Sequence, residues 1–185
     1  MQTRTLAVFA GAVWLAGCSG SGALHSAWTD LSPRACQQIV EPGDPNETPH
    51  LRCPGTAGYA LIVRRTEAGR ESVDVVDPKG RAFPLHFQET VTRFMCNVEG
   101  RAEWRMAERE PVGLIVRVQT REDVENPEKV TRTLLTVAKI TSEGACVTRV
   151  LTEGDQPIEE ARREADRARS KPCAPALPPL ATGGE

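Results

Sequence analysis

The sequence predicts an α+β fold that is mainly antiparallel β, with about six or seven strands in one curled sheet or a sandwich. One short internal helix and a C-terminal helix complete the prediction. Three observations support it: short β-branched segments lie between turn residues, residues 112–120 alternate in polarity, and alanines recur at helical spacing near the C-terminus. The length of 185 residues and the hydrophobic content of 39% fit one globular domain.

The first part of the domain is predicted to form an antiparallel meander. Its three strands are expected at residues 59–65, 71–77 and 81–87. The last two are separated by a strong turn signal, because Pro78 presets φ and Gly80 tolerates a positive φ. Pro84 cannot donate a backbone hydrogen bond, so the third strand is expected at a sheet edge or to be irregular.

The remaining elements follow from hydrophobic periodicity. A short helix is predicted at 88–96, strands at 102–107, 112–120, 131–141 and 145–151, and a C-terminal helix after Gly154. The short helix rests on the helical spacing of Val91, Phe94 and Met95. The C-terminal helix carries mostly alanine on its apolar stripe, which buries little area, so we expect it to depend on a disulfide.

The N-terminal residues 1–17 are predicted to form an export signal. Arg4 precedes an apolar run, residues 6–16, that is shorter than the roughly 20 residues a membrane-spanning helix needs. The run ends in Leu15, Ala16, Gly17 and Cys18, which resembles the lipobox of bacterial lipoproteins.

This resemblance implies cleavage before Cys18 and acylation of that cysteine, so that the membrane becomes a partner through the lipid anchor. Ser19, in place of Asp, implies an outer-membrane lipoprotein facing the periplasm. The alternative is an ordinary signal cut near Gly22 or Ala23, which would give a soluble periplasmic or secreted protein. We expect residues 18–27 to be a flexible tether, 28–173 a single disulfide-stapled domain and 174–185 a disordered tail.

The remaining cysteines are interpreted as sources of structural disulfide bonds, since exported domains commonly carry disulfides. Cys36 and Cys53 bracket a polar, Pro- and Gly-rich segment, and Cys146 and Cys173 flank the C-terminal helix, so we pair them in this way. Cys96 is left as a buried free thiol. Closely spaced cysteine pairs typical of zinc sites are absent, and we predict neither a metal nor a cofactor.

Composition and motifs limit the function. Twenty-three basic side chains against 25 acidic ones argue against nucleic-acid binding, which needs a basic surplus. No phosphate loop, nucleophile elbow or zinc-protease motif occurs. A modest anion patch is possible if four arginines gather on neighbouring strand ends: Arg64, Arg65, Arg70 and Arg81. Solubility and edge protection are the alternative role for these residues.

We therefore expect a noncatalytic binding or structural protein of the cell envelope, with another envelope protein or cell-wall material as partner. The alternatives are a periplasmic hydrolase, using His50 or His86 with a carboxylate, a serine or Cys96, and a soluble secreted binding or inhibitor domain. Cys53 with the glycine-flanked strand and meander that follow, residues 53–87, resembles the small β-rich lipoprotein inhibitors of lysozyme.

Overall fold

The computed structural model describes residues 23–43, 48–66, 68–154 and 157–178, and it is mainly antiparallel β. The strands are β1 (Leu24–Asp30), β2 (Gln37–Ile39), β3 (His50–Pro54), β4 (Ala60–Arg65), β5 (Glu71–Val76), β6 (Ala82–Pro84), β7 (Met95–Ala107), β8 (Glu110–Arg121), β9 (Arg132–Ile140) and β10 (Ala145–Thr152). The helices are α1 (Phe87–Thr90) and α2 (Pro157–Asp166), followed by a 3₁₀ turn at Ala168–Ser170.

The strands form two five-stranded sheets rather than one curled sheet. Sheet A has the order β1-β7-β8-β9-β10, and sheet B the order β2-β3-β4-β5-β6. The expectation of six or seven strands was too low because β1, β2 and β3 were not predicted. These strands are short or polar, and they form only because partner strands from elsewhere in the chain supply the hydrogen bonds.

The predicted tether is wrong at its C-terminal end. Residues from Leu24 onward form β1, which pairs with the second half of β7, from Leu24 opposite Ala107 to Asp30 opposite Arg101. Thr29 in this strand is buried. Small and polar residues pair here because the exposed ladder of β7 offers seven partner positions. The signal peptide and residues 18–22 lie outside the described residues.

The predicted meander is present as β4, β5 and β6, and β6 is an edge strand, as Pro84 required. Asp77 closes the turn between β5 and β6, where its carboxylate accepts backbone N–H groups from Lys79 and Arg81. Gly80 has the positive φ, 83°, that this turn needs.

The predicted helix at 88–96 is reduced to the single turn of α1. Met95 and Cys96 instead begin β7, opposite Arg121 and Thr120 of β8. Phe94 and Met95, which were expected to pack on the sheet, are exposed. Helical spacing of three apolar residues was too weak to compete with the ladder that the long strand β8 provides.

The two sheets enclose a shared hydrophobic core. Its largest fully buried side chains include Trp104, Phe87, Leu61, Leu85 and Leu114. Trp104 also links the sheets, because its Nε1–H donates to Thr29 Oγ1 at 2.8 Å and that hydroxyl donates to the carbonyl oxygen of Pro54 at 3.0 Å. Burial with every polar atom paired makes this link a fixed point of the core.

The outer face of sheet A carries α2. Three small side chains of the helix and turn, Ala161, Ala165 and Ala168, pack on apolar residues of β8 and β9. Ion pairs reinforce this contact, so the helix is held by more than its disulfide. In the part of the chain that the structure describes, neither helix has the length and apolarity to cross a membrane.

The predicted disordered tail is wrong for its first residues. The N–H of Ala174 donates to the Val147 carbonyl oxygen, and that of Leu177 donates to the Glu89 carbonyl oxygen. The guanidinium of Arg93 donates to the carbonyl oxygens of Leu177 and Pro178. Proline-rich sequence lacks periodicity, but these hydrogen bonds fix the backbone at Ala174, Leu177 and Pro178. Residues 179–185 lie outside the described ones.

Candidate binding site

The cysteines adopt the predicted pairing. Cys36 is bonded to Cys53, and Cys146 to Cys173. Cys96 is fully buried and has no disulfide. Burial raises the pKa of its thiol above the ordinary value. The thiol donates a hydrogen bond to the backbone carbonyl oxygen of Glu71. Cys18 lies outside the described residues.

The arginines proposed as an anion patch do not form one. Arg64 and Arg65 lie at one end of β4, whereas Arg81 follows the turn at the opposite end of β5. Each is engaged by a carboxylate: Arg64 by Asp74 and Glu41, Arg65 by Glu71, and Arg81 by Asp77. Arg70, in the β4–β5 turn, lies near the Arg65 end. The prediction assumed that these arginines meet on neighbouring strand ends. The directions of β4 and β5 instead place Arg64 and Arg65 at one end of sheet B and Arg81 at the other.

The histidines are not assembled into a site with Cys96. His50 opens β3 and is buried, and its Nδ1 accepts the backbone N–H of Arg65 at 3.2 Å. His86 precedes α1 and is exposed, 3.9 Å from the equally exposed Glu89. His25 is exposed on β1. The positions of these side chains are set by strand pairing and turn geometry.

A pocket lies on the outer face of sheet A, beside the N-terminal turn of α2. Because α2 covers only part of this face, a cavity of about 300 Å³ remains. It is lined by Trp28, Arg101, Glu103, Ile115, Arg117, Leu135 and Ile158. A larger depression of about 710 Å³ is bordered only by the β7–β8 turn, residues 107–110, and none of those residues is buried.

Glu103 is the central polar group of the pocket. It lies on β7 between the core residues Ala102 and Trp104, so strand alternation directs it to the opposite, outer face. Its side chain is only 1% exposed. Oε1 accepts hydrogen bonds from Ser26 Oγ and from Arg162 Nε, the latter at 2.8 Å. Buried carboxylates are stable only with such partners.

The second oxygen of Glu103, Oε2, is buried and has no hydrogen-bond partner among the described residues. Guanidinium groups surround the carboxylate: Arg105 lies 3.6 Å from Oε1, and Arg105 is itself paired with Asp166 at 2.6 Å. The hydrogen bond to Glu103 is also the main reason that the pKa of Arg162 is raised above its ordinary value. Oε2 therefore has unused acceptor capacity beside the pocket that Glu103 lines.

The rim of the pocket is cationic and aromatic. The guanidinium carbon of Arg101 lies 5.2 Å from the centroid of the Trp28 ring. Trp28 is 45% exposed, which is unusual for so large an apolar side chain. Arg117 pairs with Glu153 at 2.8 Å, but both side chains are partly exposed. Such a pair contributes only about 0–1 kcal/mol, so a ligand carboxylate can replace Glu153 at little cost.

The pocket was not predicted from the sequence. Its parts come from β1, β7, β8, β9 and α2, and only strand pairing brings them together. A partial signal was present in the sequence, because Glu103 stands between Arg101 and Arg105 on the polar side of a segment that alternates with Ala102, Trp104 and Met106. That alternation does not reveal that Arg162, from the far end of the chain, would pair with Glu103.

In the described ranges, no three side chains of His, Cys, Asp or Glu form a cluster able to hold a metal ion. The chain matches no known protein family, and comparisons with curated proteins and with solved structures found no significant match.

Proposed function

We propose that the protein is a noncatalytic, outer-membrane-anchored lipoprotein whose domain binds cell-wall material through the Glu103 pocket. The observation that carries the proposal is the buried, unpartnered Oε2 of Glu103 beside a pocket with two arginines on its rim. An acceptor oxygen at the wall and guanidinium groups at the entrance suit a ligand that carries a hydroxyl or amide donor together with a carboxylate. Cell-wall glycan with its peptide carboxylates has both groups.

The ligand is expected to lie across the apolar floor made by Ile115, Leu135 and Ile158. Its donor would reach Glu103, and its carboxylate would be shared between Arg101 and Arg117. Bidentate guanidinium contacts supply orientation as well as affinity. The proposal contains no bond-breaking step: Glu103 is held in an ion-pair network with Arg162 and Arg105, and it is assigned only the role of a hydrogen-bond acceptor.

Co-sedimentation with purified peptidoglycan sacculi tests this binding role. The wild-type domain should sediment with sacculi, and Arg101→Ala or Arg117→Ala should weaken binding by about tenfold. Arg109→Ala, in the exposed β7–β8 turn, is the matched control and should bind like the wild type. If all three variants bind equally, or if nothing sediments, the pocket is not a cell-wall site.

The anchor is tested separately by the intact mass of protein purified from the membranes of its own cells. A mass fitting acylated residues 18–185, with one thiol that is alkylatable before reduction once the chain is denatured, supports both the anchor and the two disulfides. A mass fitting an unacylated chain that starts near residue 23 would instead support a soluble secreted domain.

A second candidate is inhibition of lysozyme, which the resemblance of residues 53–87 implies. The observation that favours it is the β4–β6 meander, which follows the disulfide at Cys53 in the expected strand order. Lysozyme activity measured with micromolar domain tests the idea, and unchanged activity would exclude it.

A further inference from the structure

A second surface, distant from the Glu103 pocket, exposes apolar side chains at the start of β7. Phe94 and Met95 are 41% and 38% exposed, and Val124, in the β8–β9 connection, is 94% exposed. All three line one groove of about 320 Å³, together with Pro127. Apolar side chains gathered in one groove, rather than scattered, are typical of an interaction surface.

Three arginines surround this Phe94 groove: Arg70, Arg93 and Arg121. In the described part of the chain none of them forms an ion pair with a carboxylate. Arg121 donates to the amide oxygen of Asn97, and Arg93 donates to backbone carbonyl oxygens. Neutral acceptors leave the positive charge of both groups uncompensated.

The two carboxylates in the groove offset these charges only in part. Glu122 is held by Arg132 at 2.5 Å, and Asp123 accepts the backbone N–H groups of Glu125 and Asn126. The groove therefore combines exposed aromatic and thioether side chains with uncompensated guanidinium charge. Phe, Met and Arg are the residue types enriched in the buried centres of protein interfaces.

We propose that the Phe94 groove is a docking surface for an acidic segment of a partner protein that also carries apolar side chains. Charge complementarity selects an acidic partner, because its carboxylates would meet Arg70, Arg93 and Arg121. Its apolar side chains would cover Phe94, Met95 and Val124. This surface shares no residue with the Glu103 pocket, so both are available at once.

The position of the groove favours a protein over the membrane, and this step rests on the proposed anchor at Cys18. The chain enters the domain at Leu24, opposite Ala107, whereas the groove lies at Met95, the other end of β7. Thirteen strand residues separate these ends by roughly 40 Å. Residues 18–23 reach at most about 20 Å, so the groove lies at the end of β7 that is farther from the anchor.

Fluorescence anisotropy with two labelled synthetic peptides tests the proposal on the mature exported protein. The peptides share the same leucine positions, with glutamates between them in one and lysines in the other. The glutamate peptide should bind, and binding should weaken as salt is raised. Phe94→Ala and Arg121→Ala should each weaken it by about tenfold.

Val40→Ala and Arg34→Ala are the matched controls, since both residues are exposed and lie outside the groove. They should change binding less than about twofold. Thermal unfolding checks that every variant remains folded.

Four results would overturn the proposal. The first is equal binding of the two peptides, and the second is binding that the Phe94 and Arg121 variants leave unchanged. The third is Phe94-dependent binding to phosphatidylglycerol vesicles in place of the glutamate peptide, which would assign the groove to a lipid surface. The fourth is peptide binding that appears only after deletion of residues 179–185, which would assign the groove to the chain's own terminus. Sedimentation with sacculi is independent of all four.

Discussion

Gly113 of β8 lies directly beneath Ala165 of α2, so close that a Cβ atom on the glycine would be 2.6 Å from the Ala165 carbonyl oxygen. The same Cβ would lie 3.0 Å from the Ala165 methyl group. The helix thus rests on backbone, which allows an alanine stripe to pack tightly despite its small area. This contact sets the height of α2 above sheet A.

Gly113→Ala is expected to lower the free energy of unfolding by about 1–3 kcal/mol, because α2 must move away from the sheet to accept the methyl group. Chemical denaturation measures the change. Gly154→Ala is the control, since nothing lies within 4 Å of a Cβ at that position. Its stability should stay within about 0.5 kcal/mol of the wild type or rise slightly. Equal losses in both variants would contradict close packing at Gly113.

Arg162→Ala should destabilise the domain by about 1.5–3 kcal/mol, because it removes a charged hydrogen bond from the buried Glu103 carboxylate. Arg163→Ala, the adjacent exposed residue of the same helix, should change stability by less than about 0.5 kcal/mol. Both are measured by denaturation at pH 7. A loss of the same size in the two variants would show that helix propensity, and not the ion pair, is responsible.

Asp77 is expected to make stability depend on pH in the acid range. Partial burial would raise the pKa of its carboxyl, but hydrogen bonds from the Arg81 backbone, the Arg81 guanidinium and the Lys79 backbone outweigh that effect and lower it. The group thus contributes stability that is fully present above its unfolded pKa of about 3.9 and is lost as pH falls through the lower folded value.

Asp77→Asn should therefore be less stable than the wild type at pH 7, and the difference should shrink as pH falls below about 4. Free energies of unfolding across this range measure it. Lys79→Ala keeps the backbone N–H that Asp77 accepts, so its acid response should match the wild type. A difference between Asp77→Asn and wild type that stays constant with pH would rule out this carboxyl as the source.

Loss of the Cys146–Cys173 bond, in the double serine variant, should lower stability by about 3 kcal/mol in the chain-entropy model. The contacts near this disulfide indicate which residues become more mobile when the bond is lost. Helix α2 retains its ion pairs to β7, whereas residues 174–178 lose their covalent attachment. Hydrogen exchange should therefore speed up more at the Leu177 amide than within α2. Faster exchange in α2 alone would mean that the disulfide, and not side-chain contacts, holds the helix.

The sequence predicted correctly those elements of the fold that depend on short-range patterns. The β4–β6 meander follows from β-branched runs and the turn at Asp77, and the C-terminal helix from its alanine spacing. Both disulfides followed from the segments that the cysteines bracket. β1 escaped prediction because nothing in Leu24–Asp30 favours a strand until β7 lies beside it.

The candidate site was beyond sequence reasoning for the same physical reason. The hydrogen bonds that hold the Glu103 carboxylate come from Ser26 and Arg162, which lie 77 and 59 residues away in the chain. The predicted arginine patch was wrong for the converse reason. Arg64 and Arg81 are close in sequence, but they lie at opposite ends of sheet B. The strand topology decides which residues pair with a charged side chain, and short-range sequence patterns do not encode that topology.

The burial of Cys96 has a consequence for the chemistry of the two disulfides. Thiol–disulfide exchange starts from a thiolate that can reach a sulfur atom. Cys96 is inaccessible, and burial raises the pKa of its thiol, so the folded domain suppresses its only free thiol among the described residues. Shuffling of the native bonds then requires the chain to open first. The native pairing is thus protected kinetically for as long as the core around Cys96 stays closed.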